Sequence, residues 1–248
     1  MVLNESMSAK ANGTYAGLIN WNSVYRKYYQ LDSIEHRLLN YLQHPSRITF
    51  SGFGEIANRL SRLHYVHFIE YSNAMVRSAK KEFPEIAQIS NANIIDVLEH
   101  EKTEVLFVVC RITAYWHRIG DLQRFVAGLK RTPKEIVVVD FFHKEKMEGG
   151  GALGNLEFSE IQQNQVNEAS QEALNSITIR LATVHGSYTI DEKSHSYHEV
   201  RAFYDPNEVT NYFAASLDGY DVSIEPPIVD GDPGFTLLLR NRAKPSGS

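Results

Sequence analysis

Two glycines and an acid carry the clearest chemical signal in the chain. Gly52-Phe53-Gly54 follows a short apolar run, Ile48-Thr49-Phe50, and Glu70 closes the next run, Val66-His67-Phe68-Ile69. From Gly52 to Glu70 is 18 residues, close to the separation of about 20 between a glycine turn and a ribose-binding acid in nucleotide-binding βαβ units. Glycine lets the backbone approach a ligand closely, and a carboxylate at a strand tip can accept from two ribose hydroxyls. Together they predict a site for a ligand that bears adenosine.

A second group of residues is aromatic: the chain has 13 tyrosines, 12 phenylalanines and 2 tryptophans. An aromatic face stabilises a desolvated cation by about 0.5–2 kcal/mol. Tyr25, Tyr28 and Tyr29 fall in the first helical pattern, and Tyr115, Trp116, Phe141, Phe142 and Tyr188 fall near strand ends or in a long alternating run. Most residues of this kind serve as core. Tyr25 and Tyr29 are the strongest candidates to line a pocket, and with His143 they form the candidate catalytic set. His143 lies just past the fifth strand, and imidazole titrates in the range useful to a general base. His185, His195 and His198 flank a hairpin turn without metal-ligand spacing, so no metal site is expected.

These residues need a scaffold, and the apolar runs supply one. Strands are expected at Ile48–Phe50, Val66–Ile69, about Ile86–Ile89, Val105–Val109 and Ile136–Val139, the last closing on Asp140. Helical patterns lie between them, at Glu55–Leu63, behind Ser72 and over 116–131, and the alternation points to a parallel α/β sheet. A long helix is expected over 20–43, ended by Pro45. Beyond Asp140 the pattern changes. Gly149-Gly150-Gly151 reads as a mobile loop, a polar helix is expected over about 157–176, and Ile177–Ile190 and Tyr197–Phe203 as an antiparallel pair. Helix 206–217 and strands near Tyr220–Ile224 and Phe235–Arg240 complete a mixed sheet. Residues 1–15 read as a flexible lead and 244–248 as a flexible tail, enclosing one domain over 16–243.

Composition narrows the function classes. With 25 basic and 30 acidic residues the net charge is −5, which argues against a nucleic-acid partner or an anionic membrane surface. No run reaches the roughly 18 apolar residues of a membrane span, and the polar start lacks a signal sequence. The single cysteine, Cys110, leaves no disulfide framework or thiolate cluster and fits a reducing compartment, so the expected location is cytoplasmic.

Over about residues 20–242 the chain resembles the class I S-adenosylmethionine-dependent methyltransferases, and among them the small-molecule enzymes of the amino-sugar N-methyltransferase type. Ser51-Gly52-Phe53-Gly54 stands at the glycine motif and Glu70 at the ribose acid. Asn93-Ile94-Ile95-Asp96 matches the adenine-contacting segment, and Cys110-Arg111-Ile112-Thr113 the turn that meets the methionine portion. Trp116–Asp121 and Val137–Asp140 also follow the pattern. The resemblance implies a doubly wound, mainly parallel seven-stranded sheet with an antiparallel last strand, an N-terminal helical cover, and inserted antiparallel strands at 177–203 over the substrate. It implies S-adenosyl-L-methionine as cofactor, held by Gly52, Phe53, Gly54, Glu70, Tyr71, Asn93, Ile94, Cys110 and Arg111. It also implies a small-molecule partner, with a homodimer left open.

Two positions depart from that family's pattern. Phe50 replaces the acid that usually ends the first strand, and Ile56 replaces the third glycine. Both shape the amino-acid end of the cofactor pocket. Phe50 cannot accept from an ammonium, and Glu55 is the candidate substitute carboxylate. Arg26 is a candidate partner for the cofactor carboxylate, or a solvated helix residue. Methyl transfer to an amine is the leading expectation. The alternatives are a non-methylating use of the same cofactor (cyclisation to azetidine-2-carboxylate with release of methylthioadenosine, or aminopropyl-type transfer), a module that has lost the cofactor, and a nicotinamide dehydrogenase.

Overall fold

The computed structural model describes residues 21–42, 44–110, 112–144, 157–159, 177–190, 192–232 and 234–243. The expected lead, tail and Gly149–Gly151 loop, together with Arg111, lie outside the described residues. The N-terminal pattern forms two helices, α1 (Trp21–Tyr28) and α2 (Leu31–Leu39), instead of the single helix expected over 20–43. At the break Tyr29 turns inward until only 6% of it is exposed. Burying that ring offsets the helical hydrogen bonds given up there.

The main sheet has seven strands in the order β3-β2-β1-β4-β5-β10-β9. These are β1 (Arg47–Ser51), β2 (Tyr65–Glu70), β3 (Gln88–Asn91), β4 (Val105–Val108), β5 (Ile136–Phe142), β9 (Tyr220–Glu225) and β10 (Gly234–Asn241). The first five pair in parallel, and β10 runs antiparallel to both β5 and β9. This is the doubly wound sheet with an antiparallel last strand that the sequence implied. Every residue of β4 and β5 is buried, as continuous apolar runs require when helices cover both faces.

Helices α3 (Gly54–Leu60), α4 (Asn73–Glu82), α5 (Ile94–Val97), α6 (Ile119–Arg131) and α7 (Pro206–Ser216) fill the crossovers. Ser72 caps α4, its hydroxyl accepting from the Met75 amide at 3.4 Å, as its residue type suggests. The third strand begins two residues later than expected because Ile86 bonds back to the Phe83 carbonyl in the turn around Pro84. Helix α6 starts three residues later than expected, since the Trp116 amide belongs to the preceding turn and donates to Thr113 O at 2.9 Å.

A second sheet stands beside the first, in the order β6-β7-β8, from Glu157–Ser159, Ile179–Ile190 and Lys193–Tyr204. The long hairpin is the expected antiparallel insert. The polar helix expected from 157 is corrected at its start, because residues 157–159 pair with β7 as a strand; residues 160–176 lie outside the described set. Pairing with an exposed strand edge satisfies the backbone better there than an isolated polar helix.

Candidate active site

The parallel strands β1, β2 and β4 end side by side, and the loops leaving them form one surface. A ligand site is expected at such carboxyl ends, beside the point where strand order reverses. The amide of Val109 donates to Ser51 O at 2.9 Å and that of Ala92 to Glu70 O at 3.1 Å, so each loop is tied to its neighbour.

Both glycines are required by what surrounds them. A Cβ on Gly52 would lie 3.0 Å from the Val109 carbonyl and 3.0 Å from the Phe50 ring. A Cβ on Gly54 would reach within 2.9 Å of the Phe83 ring. Gly54 therefore lets the first turn of α3 approach Phe83 at the end of α4, and Ile56 is a fully buried core residue. Phe50 is also fully buried, set against Phe68 and Phe107 at ring separations of 6.3 and 6.4 Å. It forms the apolar floor beneath the Gly52 turn and presents no acceptor.

Glu70 is half-buried at the tip of β2 and accepts from the Ser72 amide at 2.7 Å. Burial pushes its carboxyl up to about 7, against the opposing pull of the Ser72 and Tyr71 amides. A carboxyl poised near neutrality in a recess is a recognised mark of a functional position. Asn91 braces the same turn, its amide donating to Tyr71 O at 2.8 Å and to Glu70 O at 3.1 Å. Tyr71 itself is exposed. Asn93 caps α5 by accepting from the Ile95 amide at 3.1 Å, and Ile94 is packed into the core beneath it.

The N-terminal tyrosines close over this surface. Tyr25 stacks on Phe53 with ring centres 3.8 Å apart and planes 22° apart, and Tyr29 meets the same ring edge-on at 4.9 Å. Burial raises the Tyr25 phenol well above its ordinary value, with further contributions from Tyr115, Tyr29, Glu70 and Cys110. Such a hydroxyl stays protonated at neutral pH and keeps a proton to donate. The structure thus gathers Tyr25, Tyr29, Phe53, Glu70 and Cys110. His143 occupies a different place: it bridges to Tyr204 of the hairpin and meets Phe235 edge-on at 6.2 Å. It stands at the seam between the two sheets.

Glu55 and Arg26, the two candidates at the amino-acid end, pair with each other, and Arg26 is the solvated helix residue that was one of its two readings. The Glu55 carboxylate is taken by Arg26 at 2.6 Å and approached by Arg59 at 3.5 Å. A carboxylate paired to two guanidiniums is a poor candidate for a substitute ammonium acceptor. Arg26 is correspondingly a bridge from α1 to α3, reaching Glu82 as well at 3.8 Å.

Asp140, noted only as the acid closing the fifth strand, and Arg201 were not among the candidate site residues. Asp140 is 6% exposed, and its carboxylate accepts from the Cys110 amide at 2.6 Å. Arg201, 5% exposed, holds its guanidinium 5.3 Å over the Phe142 ring. The alternation of β8 could have revealed Arg201, since it shares a face with the buried Phe203. Among the described residues no group of three metal-ligating side chains could hold an ion, and no helix is long and apolar enough to cross a membrane.

The fold is similar to that of solved S-adenosylmethionine-dependent methyltransferases. An S-adenosylmethionine-dependent methyltransferase from Clostridium acetobutylicum ATCC 824 superposes with a TM-score of 0.58 at 15% identity, over 94% of this chain and 98% of that one. The sugar N-methyltransferase KedS8 from Streptoalloteichus sp ATCC 53650 gives 0.54 at 12% identity, over 98% and 94%. DhpI, in complex with S-adenosylhomocysteine, gives 0.54 at 13%, over 96% and 95%. At these identities the likeness is one of fold. No family model and no curated protein sequence matches the chain.

Proposed function

We propose that the protein is an enzyme that transfers the methyl group of S-adenosyl-L-methionine to a small molecule, an amine being the acceptor class that fits best. The observation that carries this reading is the pairing of Glu70 with the Gly52 turn: a half-buried carboxyl near pH 7 beside a backbone cradle that a single Cβ would fill. Both features suit the adenosine end of that cofactor. Similarity to DhpI and KedS8, whose names specify S-adenosylhomocysteine and sugar N-methylation, supports the same choice of cofactor and acceptor.

The bound cofactor supplies an already activated methyl group, so alignment and proton removal are the tasks left to the chain. Glu70 would accept from the ribose hydroxyls, while Asn93, Ile94 and Tyr71 would bound the base. Tyr25, Tyr29 and Phe53 offer aromatic faces to a cation, with Tyr25 as a hydrogen-bond donor. His143, at the seam beneath the hairpin, would receive the acceptor's proton. Incubation with the cofactor and a panel of small amines, read by mass spectrometry, is expected to yield S-adenosylhomocysteine. No binding of S-adenosylhomocysteine by calorimetry would refute the reading.

A second reading has its own observation. Phe50 is an apolar floor and Glu55 is held by Arg26, so neither provides the ammonium acceptor usual in this fold. An amine left unpaired can lose its proton and attack its own γ-carbon, breaking the carbon–sulfur bond to give azetidine-2-carboxylate and methylthioadenosine. Methylthioadenosine formed with no second substrate would select this reaction over methylation.

A further inference from the structure

We infer that Asp140 is a positioning residue for the cofactor cleft, acting through the strained turn at Cys110 that borders the Gly52 turn; the inference rests on the cofactor assignment proposed above. Cys110 has φ of +61°, a left-handed conformation that side-chain-bearing residues rarely adopt. Among the described residues that are not glycine, only Glu192 shares it, and Glu192 sits in the turn between β7 and β8, where positive φ is common. Cys110 lies in no hairpin. It directly follows Val109, whose carbonyl packs against Gly52, so the strained peptide borders the glycine turn. Backbone strain of this kind persists only where its surroundings over-determine it.

Asp140 is what over-determines it. Its carboxylate accepts from the Cys110 amide at 2.6 Å, and its main-chain carbonyl accepts from the Thr113 hydroxyl. One residue of β5 therefore grips both ends of the turn. A second grip comes from the hairpin: the Tyr204 hydroxyl donates to Trp116 O at 2.5 Å, and His117 Nε2 lies 3.1 Å from Val200 O. Asp140 interrupts the otherwise apolar strand Ile136–Phe142. An acid buried there is costly unless its hydrogen bonds are strong, and a charge-assisted bond to a strained amide meets that condition. A turn serving only as a connection would reach the same φ more easily with glycine.

The test is a double-mutant cycle read by titration calorimetry with S-adenosylhomocysteine. Asp140→Ala is expected to weaken binding about ten- to a hundredfold. Asp140→Asn, which keeps an acceptor oxygen, should lose less. In the Cys110→Gly background, where the backbone needs no holding, Asp140→Ala should cost under about fivefold. A residue that merely supports the fold would cost the same in both backgrounds. Equal losses, or binding by Asp140→Ala as tight as in the parent, would overturn the inference while leaving the cofactor assignment intact. If the parent itself gives no heat with S-adenosylhomocysteine, both fall. Should Asp140→Ala fail to fold, the comparison of Asp140→Asn in the two backgrounds decides in the same way.

Discussion

Replacing Glu70 by glutamine should move stability and ligand affinity in opposite directions. The Glu70 carboxyl titrates at about 7 in the fold against an ordinary value of 4.5, so folding favours its protonated form. A raised value means that this group's contribution is fully present below about pH 4.5 and is lost as pH rises through 7. Between pH 5 and pH 8 the loss is about 2.5 kcal/mol, or about 1 kcal/mol once solvent screening of a partly exposed group is allowed for. Glu70→Gln removes that penalty. Its melting temperature should exceed the parent's by about 2–4 °C at pH 8, with the gap closing toward pH 5. Affinity for S-adenosylhomocysteine should fall about ten- to a hundredfold, because hydrogen bonds to a charged acceptor are worth about 1.5–3 kcal/mol. The parent should bind about tenfold more weakly at pH 6 than at pH 8, following the ionised fraction, whereas Glu70→Gln should bind almost independently of pH. Calorimetry across pH 5–8 measures all of this. A melting gap that does not change with pH, or Glu70→Gln binding within twofold of the parent, would refute the reasoning.

Three further outcomes are expected. Gly54→Ala places a Cβ 2.9 Å from the Phe83 ring, and chemical denaturation should show a loss of about 1–3 kcal/mol. Tyr25→Phe keeps the ring but removes the donor hydroxyl and should raise the apparent KM for the cofactor about two- to fivefold, whereas Tyr25→Ala, which also removes the stack on Phe53, should raise it about tenfold or more. At Glu101, burial raises the carboxyl, but hydrogen bonds from His67 and Thr49 outweigh it and hold it below 4.5. Its stabilising contribution is therefore present above that value and lost as pH falls through the depressed one. The melting gap between the parent and Glu101→Gln should narrow on acidification from pH 7 to pH 4.

Much of the fold was legible because its strands are runs of Val, Ile and Phe bounded by Gly, Pro or acids. The seven strands and the hairpin lie within a few residues of where those patterns put them. What periodicity missed was decided by individual side chains: Tyr29 turning into the core broke the N-terminal helix, and the turn after Phe83 delayed β3. At the candidate site, spacing put Glu70 and the two glycines at neighbouring strand ends, where the structure has them, whereas the stack of Tyr25 on Phe53 was not foreseen. Nor was the capture of Glu55 by Arg26, because it links residues 29 apart on elements whose meeting only the tertiary structure determines. Asp140 was visible as a strand-ending acid, but nothing in its surroundings announced a left-handed Cys110.

The ion pairs around α3 have a mechanical meaning. Arg26 of α1 holds Glu55, while Asp32 and Glu35 of α2 hold Arg59, so the helix that leaves the glycine turn is pinned from two separate helices. Arg37 and Ser33 then fasten α2 to Asp230, in the connection before β10. The N-terminal helices thus act as a splint across the sheet rather than a detachable cap. Removing them would free α3 and the Gly52 turn it leaves from both anchors at once.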